Sequence, residues 1–389
     1  MTPNSSLRVA STGIVPPGEY ERSESTLAIE TIRSAVHTAG VDLPDVDGVY
    51  MSTTRPWADQ QFFSTFLIRR LGLDVARNQE LYTGGTSPAN ALLSAAADIR
   101  AENIDTALLV GVEKHSGHDT ENFYDYLLRL FDSEFQSRAG PTAVGIYAQS
   151  LRRYLHEYED VPREAIAEIA VKNTASGTTN PDALSDRRVT IDEVLSSRII
   201  ADPLHLYECA PPCDGAVAIL LTSKDVTTNE SSTTVEIDGI GYHHAPSHFL
   251  GPAPHPLTQF PAVRKAANRA FSEATCEIDA IDLIELAAPF PHIEAMYLEE
   301  LGLFPRGQGA IASQGGETRP TGSIPVSPSG GCIGRGHPAI VTGFLNYVEA
   351  VKQLTETAAN QVPEARTALC ASAHGHGGDG ACITIFTRQ

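Results

Sequence analysis

Residues 327–338 read Ser-Pro-Ser-Gly-Gly-Cys-Ile-Gly-Arg-Gly-His-Pro, so four glycines fall within seven residues and a histidine follows the last of them. Glycine permits positive φ angles and close approach of the backbone to a ligand or another loop. Pro338 stands where a first-turn proline is tolerated, and residues 339–354 have a helical pattern. The stretch predicts a glycine-rich loop that holds the His337 imidazole at a helix start. The alternative is a tight strand-to-helix connection with an incidental histidine.

Strands and helices alternate along the rest of the chain. Helical periodicity predicts helices at residues 27–39, 62–71, 89–102, 260–275 and 292–301, and strand patterns occur at 45–52, 78–82, 106–112, 235–242 and 280–286. This alternation predicts an α/β layered fold. Because the order starts again after residue 233, we expect a duplicated fold.

The composition limits the classes of function. A net charge of −20 over 389 residues argues against binding to nucleic acid or to an anionic membrane surface. Neither a signal peptide nor an apolar run long enough to span a bilayer stands out, so we expect a cytoplasmic protein. Only five residues are lysine, and an acidic, arginine-biased surface suits a high-salt cytoplasm, although a high-GC genome would also favour arginine.

Two groups of residues have side chains that can bind metals: a pair of cysteines and a cluster of histidines. Cys209 and Cys213 are four residues apart, but no second pair has zinc-site spacing, which favours reduced structural thiols. His243, His244 and His248 have no acidic or cysteine partner at ligand spacing, which favours a loop lining the site. We therefore expect no metal.

Together with the terminal turn of residues 374–380, His-Gly-His-Gly-Gly-Asp-Gly, the loop at 327–338 resembles the C-terminal half of the thiolase superfamily. There, an Asn-Pro-Ser-Gly-Gly…Gly-His-Pro loop carries an essential histidine; Ser327 replaces the asparagine. The resemblance covers nearly the whole chain. It implies the thiolase fold, with two duplicated βαβαβαββ halves in a five-layer αβαβα arrangement. The halves would be residues 1–233, with a loop domain inserted at about 115–202, and residues 234–389.

The resemblance also implies the site. The family's nucleophilic cysteine falls on Gly85, so that thiol is absent, and the nearby Ser87 is the candidate replacement. A helix N-terminus would favour an alkoxide there, but a serine before a proline is also a good N-cap. His337 resembles the activating base, and His374 occupies the position of the second catalytic cysteine, where an imidazole can act as a base.

Further residues are implied as substrate or oxyanion contacts. Backbone amides near Gly84 and Gly378 are candidate oxyanion donors, and His376 stands at a glycine position of the family. Residues 287–290 read Ala-Ala-Pro-Phe where thiolases carry Asn-Glu-Ala-Phe or His-Asp-Cys-Phe. His292 is a partial substitute for the missing polar group, although a surface histidine at a helix start is the simpler interpretation.

The implied activity is that of a β-ketothiolase, which condenses or cleaves acyl-CoA thioesters with Ser-His-His in place of Cys-His-Cys and needs no cofactor besides its coenzyme A substrate. The chain resembles most the large subunit of two-component haloarchaeal β-ketothiolases, which implies a role in polyhydroxyalkanoate supply and a separate small partner with an OB-fold barrel. A homodimer joined near residues 78–82 is implied by the fold. The alternatives are a retro-aldolase acting on a β-hydroxyacyl-CoA and a non-catalytic scaffold subunit.

Overall fold

The computed structural model describes residues 6–53, 60–117, 125, 127–134, 136–224, 233–245, 257–374 and 378–389. The strands are β1 (Arg8–Gly18), β2 (Gly48–Thr53), β3 (Arg77–Leu81), β4 (Thr106–Glu113), β5 (Ile199–Ala201), β6 (Leu204–His205), β7 (Asp214–Thr222), β8 (Val235–His244), β9 (Leu283–Leu286), β10 (Thr367–His374) and β11 (Gly380–Arg388). The helices are α1 (Glu24–Ala39), α2 (Phe63–Leu71), α3 (Ser87–Arg100), α4 (Ala143–Glu157), α5 (Arg163–Gly177), α6 (Ile191–Ser196), α7 (Pro261–Ala274), α8 (Pro291–Glu300), α9 (Gly309–Gln314), α10 (Gly331–Arg335) and α11 (Thr342–Leu354).

One mixed sheet runs through the molecule in the order β3-β2-β4-β7-β1-β8-β11-β10-β9. Strands from the first and second halves of the chain meet at β1 and β8. These two strands pair antiparallel over a short stretch, at Arg8–Glu236 and Val9–Val235. In the first half, β2 pairs in parallel with β3 and β4; in the second, β9 pairs in parallel with β10. A single bridge between Ile284 and Val326 stands where the first half has β3. The two halves therefore repeat one topology, as predicted.

Alternate side chains of the central strands enter different cores, which explains the layers. On β4, Leu108 and Val110 pack with α1 and α2, whereas Ala107 and Leu109 pack with α3 and α11. On β10, Ala368 faces that same middle core, while Leu369 and Ala371 pack with α7 and α8. Strand side chains alternate between faces, so the two halves of the sheet enclose one helical layer between them. The prediction of a thiolase fold with five layers is confirmed.

The loop at 327–338 is more ordered than a simple turn. Residues Gly331–Arg335 form α10, and a 3₁₀ turn at Ala339–Val341 precedes α11. The predicted helix therefore begins at Thr342 rather than at 339, because the chain first turns through Ala339 with a positive φ of 28°. Between β4 and β7 the chain forms α4, α5, α6 and the two-stranded β5–β6 sheet.

All six cysteines are free thiols. Among the described residues, no helix is long and apolar enough to cross a membrane.

Candidate active site

The candidate site lies where two helices of the middle layer begin. The α3 helix starts after the turn that follows β3, and α11 starts after the glycine-rich loop. These two starts are in contact, because a Cβ atom at Gly343 would lie 3.1 Å from Cβ of Pro88 and 3.8 Å from Cβ of Ser372. Ser372 precedes His374 by two residues on the same face of β10. The fold thus brings the predicted residues Ser87, His337 and His374 to one region.

His337 is fixed by both its backbone and its ring. Its amide donates to the carbonyl of Pro211 (3.0 Å), and Nδ1 lies 2.9 Å from Oγ1 of Thr342 at the start of α11. Loss of hydration, together with the nearby His115 and Arg335, lowers the pKa of His337 to about 4. The imidazole is therefore neutral at pH 7. A neutral ring with one nitrogen held by a hydroxyl can accept or relay a proton through the other.

A buried ion cluster supports the loop that carries His337. Arg335 is 2% exposed; it donates to Oγ of Ser329 (3.1 Å) and to Oδ1 of Asn346 (2.5 Å) and lies 3.7 Å from the Glu285 carboxylate. Glu285 in turn accepts from both the amide and the hydroxyl of Ser329. Burial raises the pKa of Glu285 to about 7, and the neighbouring guanidinium opposes that rise. These contacts hold the two ends of the loop at fixed positions.

His374 lies against the turn that precedes α3. A Cβ atom at Gly84 would lie 3.3 Å from Cβ of His374, and one at Gly380 would lie 2.2 Å from its Nε2. Loss of hydration lowers the pKa of His374 below its ordinary 6.5; the nearby His244 lowers it further, while Asp379 opposes. His374 is therefore also neutral at pH 7.

Gly85, at the position of the family's nucleophile, has no room for a side chain. A Cβ atom there would lie 2.4 Å from the carbonyl oxygen of Ala373. That distance is far below van der Waals contact, so the end of β10 would have to move to admit a cysteine. The absence of the thiol is thus built into the packing of this turn.

The Ser87 hydroxyl is occupied within its own turn. It accepts the amide of Thr83 (2.8 Å) and donates to the carbonyl of Gly84 (2.8 Å), and the side chain is 0% exposed. Thr86 occupies the N-cap position and Ser87 is the first residue of α3, with Pro88 second, so the predicted capping register is off by one. The hydrogen bonds favour a structural role for this serine; its catalytic role stays a prediction.

The remaining predicted residues lie at different depths. His292 is fully buried at the start of α8, so the interpretation as a surface histidine is wrong. Its ring packs against Phe290 and Tyr147, and burial lowers its pKa to about 3. Gly378 is buried with a φ of +64°, where a Cβ atom would lie 2.8 Å from the Phe260 ring. His376 lies outside the described residues, as does His248.

Sequence reasoning left two features of the site without a role. The first is the Arg335–Glu285 pair, for which an arginine inside a glycine-rich turn was the available signal. The second is His244, whose ring centroid lies 5.1 Å from that of His374. The prediction of a loop for the histidines at 243, 244 and 248 is wrong for the two that the structure describes, because His243 and His244 end strand β8; the strand register shows that His244 faces His374.

Comparisons with known proteins agree with the fold. Residues 17–225 match the family model of the thiolase N-terminal domain, and residues 250–388 match the model described as thiolase C-terminal domain-like. The chain is 30% identical over 357 residues to an acetyl-CoA acetyltransferase of Methanothermobacter thermautotrophicus, which covers 91% of this chain and 92% of the relative.

Two solved structures share the architecture. The Ltp2-ChsH2(DUF35) aldolase matches with a TM-score of 0.83 and 21% identity, over 98% of this chain and 97% of that chain. The human mitochondrial 3-ketoacyl-CoA thiolase matches with a TM-score of 0.72 and 14% identity, over 98% of each chain. With two family models matched in order and a relative at 30% identity over nearly its full length, the chain belongs to the thiolase family.

Proposed function

We propose that the protein makes or breaks the bond between Cα and Cβ of an acyl-CoA, using two neutral imidazoles and no acyl-enzyme. The reaction supported best is the aldol or retro-aldol interconversion of a 3-hydroxyacyl-CoA. One observation carries this choice: the Ser87 hydroxyl is held by Thr83 and Gly84. The same turn excludes a cysteine at Gly85. Without a nucleophile, acid–base chemistry is what remains.

In the condensing direction, His374 removes a proton from Cα of the acyl-CoA, and the electron pair of the C–H bond passes into the enolate. Backbone amides near Gly84 and Gly378 are the proposed donors to the enolate oxygen. The enolate carbon attacks the carbonyl carbon of an aldehyde or ketone and forms the new bond. The resulting alkoxide takes a proton through His337, and solvent restores both imidazoles. Cleavage follows the same steps in reverse.

A second candidate is the β-ketothiolase, in which two acyl-CoA molecules give a 3-ketoacyl-CoA and free CoA. It is favoured by the 30% identity to a protein named acetyl-CoA acetyltransferase. This reaction would require the Ser87 hydroxyl to leave Gly84 and accept the acyl group. A serine ester is less electrophilic than a cysteine thioester, so this version should be slow. A role in polyhydroxyalkanoate supply belongs to this candidate.

A separate small partner subunit is part of the proposal. The Ltp2 structure is a complex with the DUF35 protein ChsH2, and this supports a comparable partner with an OB-fold barrel here. A cytoplasmic homodimer joined along β3, at the edge of the sheet, completes the proposed assembly. The resemblance to haloarchaeal large subunits stays a prediction, tested by a salt requirement for activity.

The test is a pair of assays on the chain co-purified with the product of its genomic neighbour. One follows aldehyde or ketone release from 3-hydroxyacyl-CoA thioesters, and the other follows thiolysis of acetoacetyl-CoA. We expect hydroxyacyl-CoA cleavage that survives in Ser87→Ala and is lost in His337→Gln and His374→Gln. Thiolysis lost in Ser87→Ala would instead establish the second candidate. Turnover of neither substrate class would indicate a non-catalytic scaffold.

A further inference from the structure

The rings of His244 and His374 face each other across one glycine. Their centroids are 5.1 Å apart and their planes are inclined by 52°. Strand β11 lies between β8 and β10, and its first residue, Gly380, pairs with His244 on one side and with His374 on the other. Side chains of paired residues lie on the same face of a sheet, so both rings project toward the middle layer.

The space for the two rings exists because residue 380 is glycine. A Cβ atom there would lie 2.2 Å from Nε2 of His374 and 3.3 Å from Cδ2 of His244. Any side chain would displace at least the His374 ring. The three residues thus form one packed unit at the end of the sheet, beside Gly84 of the turn that precedes α3.

The hydrogen bond of His244 fixes its tautomer. Nδ1 lies 3.0 Å from the carbonyl oxygen of Ala245, and a carbonyl can only accept, so Nδ1 carries the proton. Ala245 is itself held by its amide, which donates to the carbonyl of Asp379 (2.7 Å). The side chain of His244 is exposed, whereas His374 is only partly accessible. A water-accessible imidazole with a fixed orientation therefore stands beside the proposed base.

We propose that His244 is a positioning residue for His374: it holds the ring against the substrate side of the sheet, and a proton on His244 disfavours a second proton on His374. This inference rests on the proposed role of His374 as the base at Cα. Among the described residues, the ionisable groups acting on His374 are His244 from β8 and Asp379 from the turn before β11, of opposite effect. His243 projects to the other face of β8, toward Lys265 and Arg269.

The experiment is a pH titration of histidine Cε1 signals by NMR on the intact complex labelled at that position. His374→Gln and His244→Gln assign the two signals. In His244→Phe, which keeps a ring of similar size but no charge, we expect the midpoint of His374 to rise by about half a pH unit, the size of a charge repulsion across about 5 Å of hydrated space. His243→Phe is the matched control and should leave the midpoint unchanged.

The activity gives a second readout. For condensation, in which His374 must be neutral, the acidic limb of kcat/KM should move to higher pH in His244→Phe by the same amount as the NMR midpoint. An unchanged His374 midpoint in His244→Phe would overturn the inference, provided that the other histidine signals match those of wild type. The titration needs no turnover. A shifted midpoint in a protein that cleaves no acyl-CoA would therefore refute the proposed function and leave the coupling of the two rings established.

Discussion

Replacing Ser87 with alanine separates a structural serine from a nucleophile. The substitution removes the hydroxyl that joins the amide of Thr83 to the carbonyl of Gly84; Ser87 is fully buried, Thr83 is exposed, and the Gly84 carbonyl still accepts the amide of Ser87 (2.9 Å). A hydrogen bond contributes about 0.5–1.5 kcal/mol, and the substitution removes two of them from one small turn. We therefore expect Ser87→Ala to lower the free energy of unfolding by about 2 kcal/mol, while catalysis at saturating substrate falls less than about tenfold.

The assay combines urea denaturation with initial rates on the substrate that wild type turns over. Thr86→Val is the matched control, because Thr86 is equally buried in the same turn but its hydroxyl makes a single backbone bond, to the carbonyl of Thr83 (3.0 Å). It should cost roughly half as much stability and leave the rate unchanged. Unaltered stability of Ser87→Ala together with a loss of rate of about a thousandfold or more would refute the structural role and identify a nucleophile.

Three further predictions concern the same region. Gly85→Cys should not create a thiolase: the new Cβ would meet the carbonyl of Ala373 at 2.4 Å, and we expect a loss of about 1–3 kcal/mol in urea denaturation with no gain of acetoacetyl-CoA thiolysis. A stable variant that gains thiolysis would contradict the packing argument. Arg335→Met should leave Glu285 buried without its counter-ion and cost about 3–5 kcal/mol, whereas unchanged denaturation would show that the loop does not depend on the pair. Finally, both candidate bases have a lowered pKa and start condensation in the neutral form, so kcat/KM for condensation should fall only as pH drops below 6.5. An acidic limb above that value would exclude them.

The fold was predictable because two signals agreed along the chain. The alternation of strands and helices gave the layer type, and the separate loops at 327–338 and 374–380 gave the family. The helix starts were less accurate. A proline at 338 suggested a first turn, but the chain passes through a 3₁₀ turn at Ala339–Val341 before α11 begins. Local sequence does not show such a detour, because it is set by packing against the neighbouring half.

Ser87, His337 and His374, which the sequence predicts as one site, lie in one region of the structure, and their catalytic roles stay predictions. The positions of His337 and His374 follow from motif spacing. The engagement of the Ser87 hydroxyl depends on backbone groups of Thr83 and Gly84, whose directions no residue pattern encodes. For His292 the helix-start position suggested exposure, yet α8 is buried along its whole length by the surrounding layers. Tertiary burial outweighed the local signal.

The most direct test of the central claim is intact-protein mass spectrometry of the chain, with its proposed partner where the two co-purify, during steady-state turnover, quenched in acid. A reaction without an acyl-enzyme predicts that the mass of this chain stays unchanged while product accumulates, in wild type and in Ser87→Ala alike. An added acyl group on wild type that disappears in Ser87→Ala would contradict the account and establish covalent catalysis by the serine.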